Sequence, residues 1–369
     1  MQLDSLNLVN FKNFNQLEIN NLLKINCFVG KNGEGKTNLL DAIYYLSFTK
    51  SYFNTIDSEN IKYNNDFFVL QGKYKNSDEI IDVYCGVKPG HKKKFTLNKK
   101  TYKKLSDHIG LIPLVIITPS DINLIIGGSA VRRKFIDGVI SQFDKEYLNA
   151  LLKYNRVIEH RNKLLKQFAK NNIFDKDSIS VWDEQLINYG NKIYKKRAEF
   201  IQKLIPVFQK FYSFISDDNE RVELFYKSQL TEADFKSLLQ KNISKDTILQ
   251  YTSVGIHKDD LILTLGGRQI KKIGSQGQKK TYFLSLKLAQ FEFIKQICGF
   301  KPLLLFDDVF DKLDADRVSQ LIKLVSDNNF GQIFITDTSI DRLQKILLDI
   351  DIPSKIYELY NQTITLKNK

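Results

Sequence analysis

Cysteine is scarce and dispersed. Cys27, Cys85 and Cys298 are the three in 369 residues, and no two form a C-x-x-C pair. That excludes a disulfide framework or a cysteine-held zinc and predicts reduced, structural thiols. Histidine is as sparse: His91, His108, His160 and His257 contain no H-x-x-x-H, so metal hydrolysis by a histidine cluster has no support. Long apolar runs are also missing. The longest, such as Leu111–Thr118 and Leu303–Phe306, fall far short of the roughly 20 residues that cross a bilayer. The opening MQLDSLNLVNFKNF alternates apolar and polar residues and lacks the basic-then-apolar pattern of an export signal. The expectation is a cytoplasmic protein that neither enters a membrane nor is secreted.

Acidic surplus is absent too. The formal net charge is +13, while 43% hydrophobic and 26% charged residues exclude a disordered chain. The basic balance fits a polyanionic partner, and it fits a lysine-rich solvated surface equally well. Lys88, Lys92, Lys93, Lys94, Lys99, Lys100, Lys103 and Lys104 lie in one stretch without an acid. Such a strip either blunts an exposed sheet edge or contacts phosphates.

The first third reads as mixed α/β. Strands are predicted over Leu3–Val9, Gln16–Ile19 and Ile25–Val29, then a glycine-bearing turn and a helix over Lys36–Ser47. Phe67–Tyr74 and Ile80–Val87 read as a hairpin around Asn76-Ser77-Asp78, with a further strand near Phe95–Leu97. From Lys145 to Ile215 the pattern is helical, interrupted by glycine or proline only at Gly190 and Pro206. Leu151, Ile158 and Leu165 recur once per heptad; Trp182, Leu186, Tyr189, Ile193, Phe200, Leu204, Val207 and Phe211 form a second stripe. A polar loop near Lys170–Asp177 joins them, which predicts an antiparallel helical hairpin. From Leu249 the α/β texture returns, with strands at Leu261–Leu265, Pro302–Phe306 and Gln332–Thr336 and helices over Gly277–Cys298 and near Arg317–Val325. The layout is a discontinuous α/β domain interrupted by a helical insertion.

Three motifs carry chemistry. Gly30-Lys31-Asn32-Gly33-Glu34-Gly35-Lys36-Thr37 fits G-x-x-x-x-G-K-[ST] between a strand and a helix. Glycines let backbone N–H groups curl around phosphate oxygens, and the helix start adds partial positive charge. Lys36 is expected to reach the β- and γ-phosphates and Thr37 to ligate Mg²⁺. The strand Leu303–Phe306 ends in Asp307 and Asp308, where a Walker B motif belongs; Asp307 would hold Mg²⁺ and Asp308 would orient or activate the attacking water. Ser275-Gln276-Gly277-Gln278 heads a long helix, with Ser275 at its N-cap, which makes a second anion-binding end. In ABC-type ATPases this turn meets the γ-phosphate bound on the other protomer. Asp311-Lys312-Leu313-Asp314 then falls at the D-loop position.

In this order and wide spacing, the motifs resemble the RecF family of bacterial DNA replication and repair ATPases. The likeness runs almost end to end. It includes Leu8–Phe14, Gly33–Ile43, Thr118–Asp121, Gly127–Asp137, His160–Leu165, Val181-Trp182-Asp183 with Gln185-Leu186, Gly255–Asp260, Ser275–Gln278 and Leu303–Asp314. Lys12, Lys258 and Lys280 stand where the family usually has arginine, and Ala130 and Ile256 where it usually has proline. Lysine keeps the charge and loses the planar fork. The strand Gln332–Thr336 runs into Asp337-Thr338 with no switch histidine, so no γ-phosphate sensor is assigned.

The resemblance implies an α/β fold, an ABC-type P-loop ATPase head with an inserted helical arm domain. The implied division is a head part over 1–120, the helical insertion over 121–240 and a second head part over 241–369. It implies a weak, DNA-stimulated ATPase using ATP and Mg²⁺, with Lys36, Asp307, Asp308 and Ser275 catalytic. Nucleotide contacts would come from Gly30 through Asn38 (Gly30, Lys31, Asn32, Gly33, Glu34, Gly35, Lys36, Thr37, Asn38) and from Ser275, Gln276 and Gly277. ATP-driven homodimers would clamp single- or double-stranded DNA at gaps or junctions and release it on slow hydrolysis. RecO and RecR would be partners in loading RecA, in the nucleoid-associated cytoplasm and within the DNA-damage and SOS response. DNA contacts are expected from Lys92, Lys93, Lys94, Lys99 and Lys100 and from Arg132 and Arg133, the last two on a helix start where surface charge is the alternative reading. His257 is expected to be structural. The rivals are an SMC-like ATPase of another maintenance or defence system, an ABC transporter subunit, and a scaffold that binds ATP without turnover.

Overall fold

A computed structural model describes residues 1–76, 79–216, 220–310, 318, 320–321, 324, 330–348 and 352–367. The D-loop residues Asp311-Lys312-Leu313-Asp314, most of the helix expected near Arg317–Val325, and Ser77 and Asp78 of the hairpin turn lie outside the described residues. The chain forms two compact units, Met1–Asp121 with Phe211–Asp217 and Lys280–Lys369, and Ile122–Lys210 with Asp218–Lys279.

The first unit holds two six-stranded sheets. One is antiparallel, in the order Phe14–Ile19, Gln2–Phe11, Phe68–Asn76, Glu79–Val87, Lys94–Leu97, Lys100–Thr101. The other runs Thr363–Lys367, Ser354–Tyr360, Ile25–Val29, Ile333–Asp337, Leu303–Asp307, Leu114–Ile117 and is parallel except at its terminal hairpin. The central strands Ile25–Val29, Leu303–Asp307 and Ile333–Asp337 are buried along their whole length, as parallel strands covered on both faces must be. The hairpin Ser354–Tyr360 with Thr363–Lys367 and the helix Ile340–Leu348 carry no expectation from sequence.

The helix Lys36–Phe48 is packed in one core with residues of both sheets, among them Leu6, Leu8, Phe68, Phe28, Leu305 and Phe334. The sequence spacing predicts one apolar face, Leu39, Leu40, Ile43 and Leu46. Burial instead goes round the helix and includes Asp41, Tyr44, Tyr45 and Ser47. The polar members are tolerated because they are bonded: Ser47 Oγ donates to the Ile112 carbonyl, and Asp41 accepts from Ser51 Oγ and Tyr52 N.

In the second unit, Lys145–Asn171 and the helix Lys176–Ser216 as far as Lys210 form the predicted hairpin. Pairs such as Phe168 with Ile179, Arg161 with Asp183, and Tyr147 with Arg197 show the antiparallel run. The buried stripe of the first helix is Tyr147, Ala150, Tyr154, Val157, Arg161, Leu165 and Phe168. Of the heptad read from sequence only Leu165 belongs to it; Leu151 and Ile158 sit half-buried at its margin. Periodicity misplaces the stripe because an arginine and two tyrosines occupy core positions.

Arg161 and Arg197 are among the largest fully buried side chains. Arg161 reaches Asp183 at 2.6 Å, Asp246 at 2.7 Å and Thr252 Oγ1 at 3.0 Å. Arg197 reaches Asp137 at 2.9 Å, Asp259 at 2.9 Å and the Ile256 carbonyl at 2.7 Å. These forks explain why the insertion does not close at residue 240 as the sequence boundary has it. Asp246, Thr252 and Asp259 are bonded to the hairpin's arginines, and Val222–Lys227 pairs with Asp260–Leu265, so the compact unit continues to Lys279. The helix Phe235–Leu249, capped by Asp234, and the strand Val222–Lys227 are not among the elements expected from sequence. Phe235 packs against Gly190, where a Cβ would come within 2.5 Å of its ring.

Candidate functional site

The turn after Ile25–Val29 has to be glycine-rich. Gly33 and Gly35 adopt left-handed conformations with φ of 91° and 102°. A Cβ on Gly35 would also lie 2.4 Å from the side-chain amide of Asn13. Asn13 donates through Nδ2 to the Glu34 carbonyl at 3.0 Å and accepts from Asn38 Nδ2 at 2.7 Å. It therefore clamps the loop to the start of the helix. Lys36 is buried, and its Nζ donates to the carbonyls of Gly30 at 2.8 Å and Lys31 at 3.1 Å. The loop is thus wrapped around an ammonium, with Lys31, Asn32 and Gly33 exposed on its outer side.

Thr37 and Asp307, 270 residues apart, meet: Thr37 Oγ1 donates to both carboxylate oxygens at 2.9 and 3.1 Å. The pairing of Leu303–Asp307 and Ile25–Val29 with Ile333–Asp337 between them brings the two strand ends together. Thr336 completes the arrangement. Its Oγ1 donates to Asp307 Oδ1 at 2.9 Å and accepts from the Asp308 N–H at 2.9 Å, while Asp308 takes a left-handed φ of 47°. Thr336 and Asn13 are the two site residues that sequence reasoning leaves unassigned. A hydroxyl at the end of an otherwise apolar buried strand, and an amide in a tight turn, were the available signals.

Burial raises the Asp307 carboxyl above the ordinary aspartate range; hydrogen bonds from Thr336 and Thr37 act against this, as does Lys36, and the Asp308 charge adds to it. A buried carboxylate beside a threonine hydroxyl, both hard oxygen donors, fits Mg²⁺, which takes one or two carboxylates together with substrate phosphates. Among the described residues no cluster of three or more His, Cys, Asp or Glu forms a complete protein cage for a metal.

The Ser275 turn lies in the second compact unit. Ser275 Oγ accepts from Gln278 N at 3.1 Å, and Gln278 Oε1 accepts from Ser275 N at 2.7 Å, a reciprocal capping box. Gln278 Nε2 is further held by Glu220. Ser275 and Gln276 are exposed and Gly277 half-buried. The helix start is capped and faces solvent.

The basic candidates divide. Lys92, Lys94, Lys99 and Lys100 are exposed on the strands Lys94–Leu97 and Lys100–Thr101 and their approach. Lys93 turns inward, paired with Asp57 at 2.6 Å and donating to the Thr49 carbonyl at 2.7 Å. Arg132 is buried, its fork on Asp260 at 2.6 and 3.0 Å and a third donor on the Gly127 carbonyl. Arg133 is half-buried and donates to the Asp259 carbonyl. The expectation that Lys93 and Arg132 meet DNA is therefore corrected: their charges are spent on internal partners. The Gly-Gly-Ser-Ala-Val-Arg-Arg block and the His-Lys-Asp-Asp block are two halves of one internal ion-pair cluster.

His257 precedes Lys258, Asp259 and Asp260 in the chain and has partners of its own. It is bonded to the Tyr154 hydroxyl at 2.9 Å and the Thr252 carbonyl at 3.0 Å. The Thr252 carbonyl can only accept, so Nε2 carries a proton, and in the neutral ring Nδ1 accepts from the tyrosine. Burial lowers its pKa to about 4, with Lys258 and Arg133 adding to the fall and the Thr252 carbonyl opposing it. The unfolded chain takes up this proton near pH 6.5 while the fold refuses it down to about 4, so stability is present above pH 6.5 and lost on acidification. Chemical unfolding is expected to show a loss of roughly 2 kcal/mol between about pH 7 and 5. His257→Gln should flatten that slope; an unchanged slope would assign it to other groups.

A family described as the RecF/RecN/SMC N terminal domain matches residues 2–363. The DNA replication and repair protein RecF of Phocaeicola vulgatus is 50% identical over 367 residues, covering 99% of this chain and 98% of that protein. A solved structure of the recombination mediator protein RecF with ATP in the RecFOR pathway matches with a TM-score of 0.90 at 30% identity, covering 100% of this chain and 98% of that one. An Smc head domain from Pyrococcus furiosus shares the fold at a TM-score of 0.57 and 17% identity, over 99% of this chain and 96% of that one. The fold is thus the ATPase head common to RecF and SMC proteins. Among the described residues no helix is long and apolar enough to cross a membrane. With a full-length relative at 50% identity, a family match over nearly every residue and the P-loop joined to its acidic strand, the chain belongs to the RecF family of DNA replication and repair proteins.

Proposed function

We propose that this chain binds ATP at Gly30–Asn38, hydrolyses it slowly with stimulation by DNA, and uses ATP-driven pairing of two copies to clamp DNA at gaps or junctions. The single observation that carries this reading is the Thr37–Asp307 contact beside the enclosed Lys36 ammonium. The loop N–H groups and Lys36 would hold the phosphates. A magnesium ion at Thr37 and Asp307 would supply charge neutralisation for the transferring phosphoryl group. Asp308 would orient a water and take its proton, positioned by the bond from its N–H to Thr336. Ser275, Gln276 and Gly277 of the second copy would close the site. The exposed Lys92, Lys94, Lys99 and Lys100 would contact the DNA backbone, giving steep salt dependence and little base readout. RecO and RecR are the proposed partners in RecA loading, and the nucleoid-associated cytoplasm is the proposed location.

Light scattering with ATP, Mg²⁺ and a gapped duplex tests this directly. Asp308→Asn is expected to lower turnover by roughly two orders of magnitude, as loss of a proton acceptor does, and to leave a long-lived DNA-bound dimer. Turnover equal to wild type would remove Asp308 from that role.

A further inference from the structure

The helix Gln276–Cys298, headed by Ser275, is buried on nearly every side from Thr281 to Ile294, and Lys287 is the one charged residue among its buried side chains. Its ammonium is bonded within the protein. Lys287 Nζ donates to the Ile116 carbonyl at 3.0 Å, pairs with Asp121 Oδ1 at 3.2 Å and sits 5.9 Å from the centre of the Tyr52 ring. Asp121 is itself buried; its Oδ2 accepts from Thr118 N at 2.7 Å, and its Oδ1 accepts from the Tyr52 hydroxyl. Tyr52 then donates its backbone N–H to Asp41 Oδ1 at 2.7 Å, and Asp41 Oδ2 is held by Lys12 at 2.6 Å and Ser51 at 2.6 Å. Asp41 is on the helix that opens with Lys36 and Thr37. The contacts form one chain, Lys287–Asp121–Tyr52–Asp41–Lys12, with two cations and two carboxylates in balance.

Stability alone does not call for such a chain, since replacing a buried ion pair by well-packed apolar side chains is often neutral or stabilising. What a fully bonded ionic chain adds is a fixed register, because sliding either helix leaves a buried charge unpaired. We propose that Lys287 and Asp121 are positioning residues for ATP turnover. They tie the helix headed by Ser275 to the helix that carries Lys36 and Thr37, so that engagement of phosphate at one is felt at the other. Neither is placed against substrate; both act through the helices they lock. The inference rests on the ATPase reading above.

The test uses the full-length protein and three variants. Lys287→Met/Asp121→Leu removes both charges together, Tyr52→Phe deletes a single hydroxyl, and Lys287→Arg keeps the cation. Turnover, KM for ATP, ATP affinity at concentrations too low for pairing, and thermal midpoint are measured for each. Expected are a fall in kcat of about tenfold or more in the first two, ATP affinity within about threefold of wild type, and partial recovery in Lys287→Arg. A folded double variant with wild-type kcat overturns the inference, as does an equal loss of affinity and kcat. Should the double variant not fold, Tyr52→Phe decides: wild-type kcat in it overturns the proposal. Absence of turnover in the wild-type protein overturns the ATPase reading itself; wild-type turnover matched by the variants overturns this inference alone.

Discussion

Lys36→Met is expected to weaken ATP binding by about a hundredfold or more and to abolish turnover. Methionine preserves the length and the apolar stem of the side chain, so the loop and helix should still form. What it removes is the ammonium that the Gly30 and Lys31 carbonyls now hold at the centre of the turn. Charge-assisted hydrogen bonds contribute about 1.5–3 kcal/mol each, and two to phosphate oxygens account for a hundredfold loss or more. The backbone N–H groups and the Gly33 and Gly35 conformations remain, so weak residual binding of triphosphate should survive. Titration with a fluorescent ATP analogue measures the affinity. Thermal unfolding gives a second reading, because ligand at about 100 times Kd adds about 2.7 kcal/mol to the wild-type fold. An affinity within threefold of wild type would place the phosphates elsewhere.

Ser275→Arg should separate binding from pairing. The P-loop belongs to the first compact unit and Ser275 to the second, and the serine is exposed at the head of its helix. Arginine there breaks the capping box with Gln278, at a local expense of about 1 kcal/mol, and places a bulky cation where a second copy's phosphates would dock. ATP affinity of the single chain should stay within about twofold, while ATP-induced dimers disappear and turnover falls by about a hundredfold or more. Ser275→Ala, which loses the cap and hydroxyl without adding bulk, should give an intermediate defect. Light scattering at saturating ATP, in the Asp308→Asn background, reads the dimer. Normal dimers in Ser275→Arg would remove the second copy from the site and the clamp model with it.

The sequence by itself determined the glycine-bearing turn between Ile25–Val29 and Lys36–Phe48, the strand that runs into two aspartates and the serine-headed helix. Each is a local device: a backbone conformation, a run of β-prone residues or a cap, written within a few neighbouring residues. The helical insertion was legible for the same reason, since long periodic segments announce their type. Tertiary structure alone decided which charges act outward and which are consumed inside. Nothing in sequence sets Lys93 and Arg132 apart from the basic residues beside them, and only the fold supplies Asp57 and Asp260 to them. It also decided where the second unit ends, because the carboxylates that pair with Arg161 and Arg197 come from as far along the chain as Asp246 and Asp259. Thr336, Asn13 and Lys287 gain their roles in the same way. A hydrogen-bonding side chain has no meaning until a partner is placed beside it, and that placement depends on strands and helices far apart in the sequence.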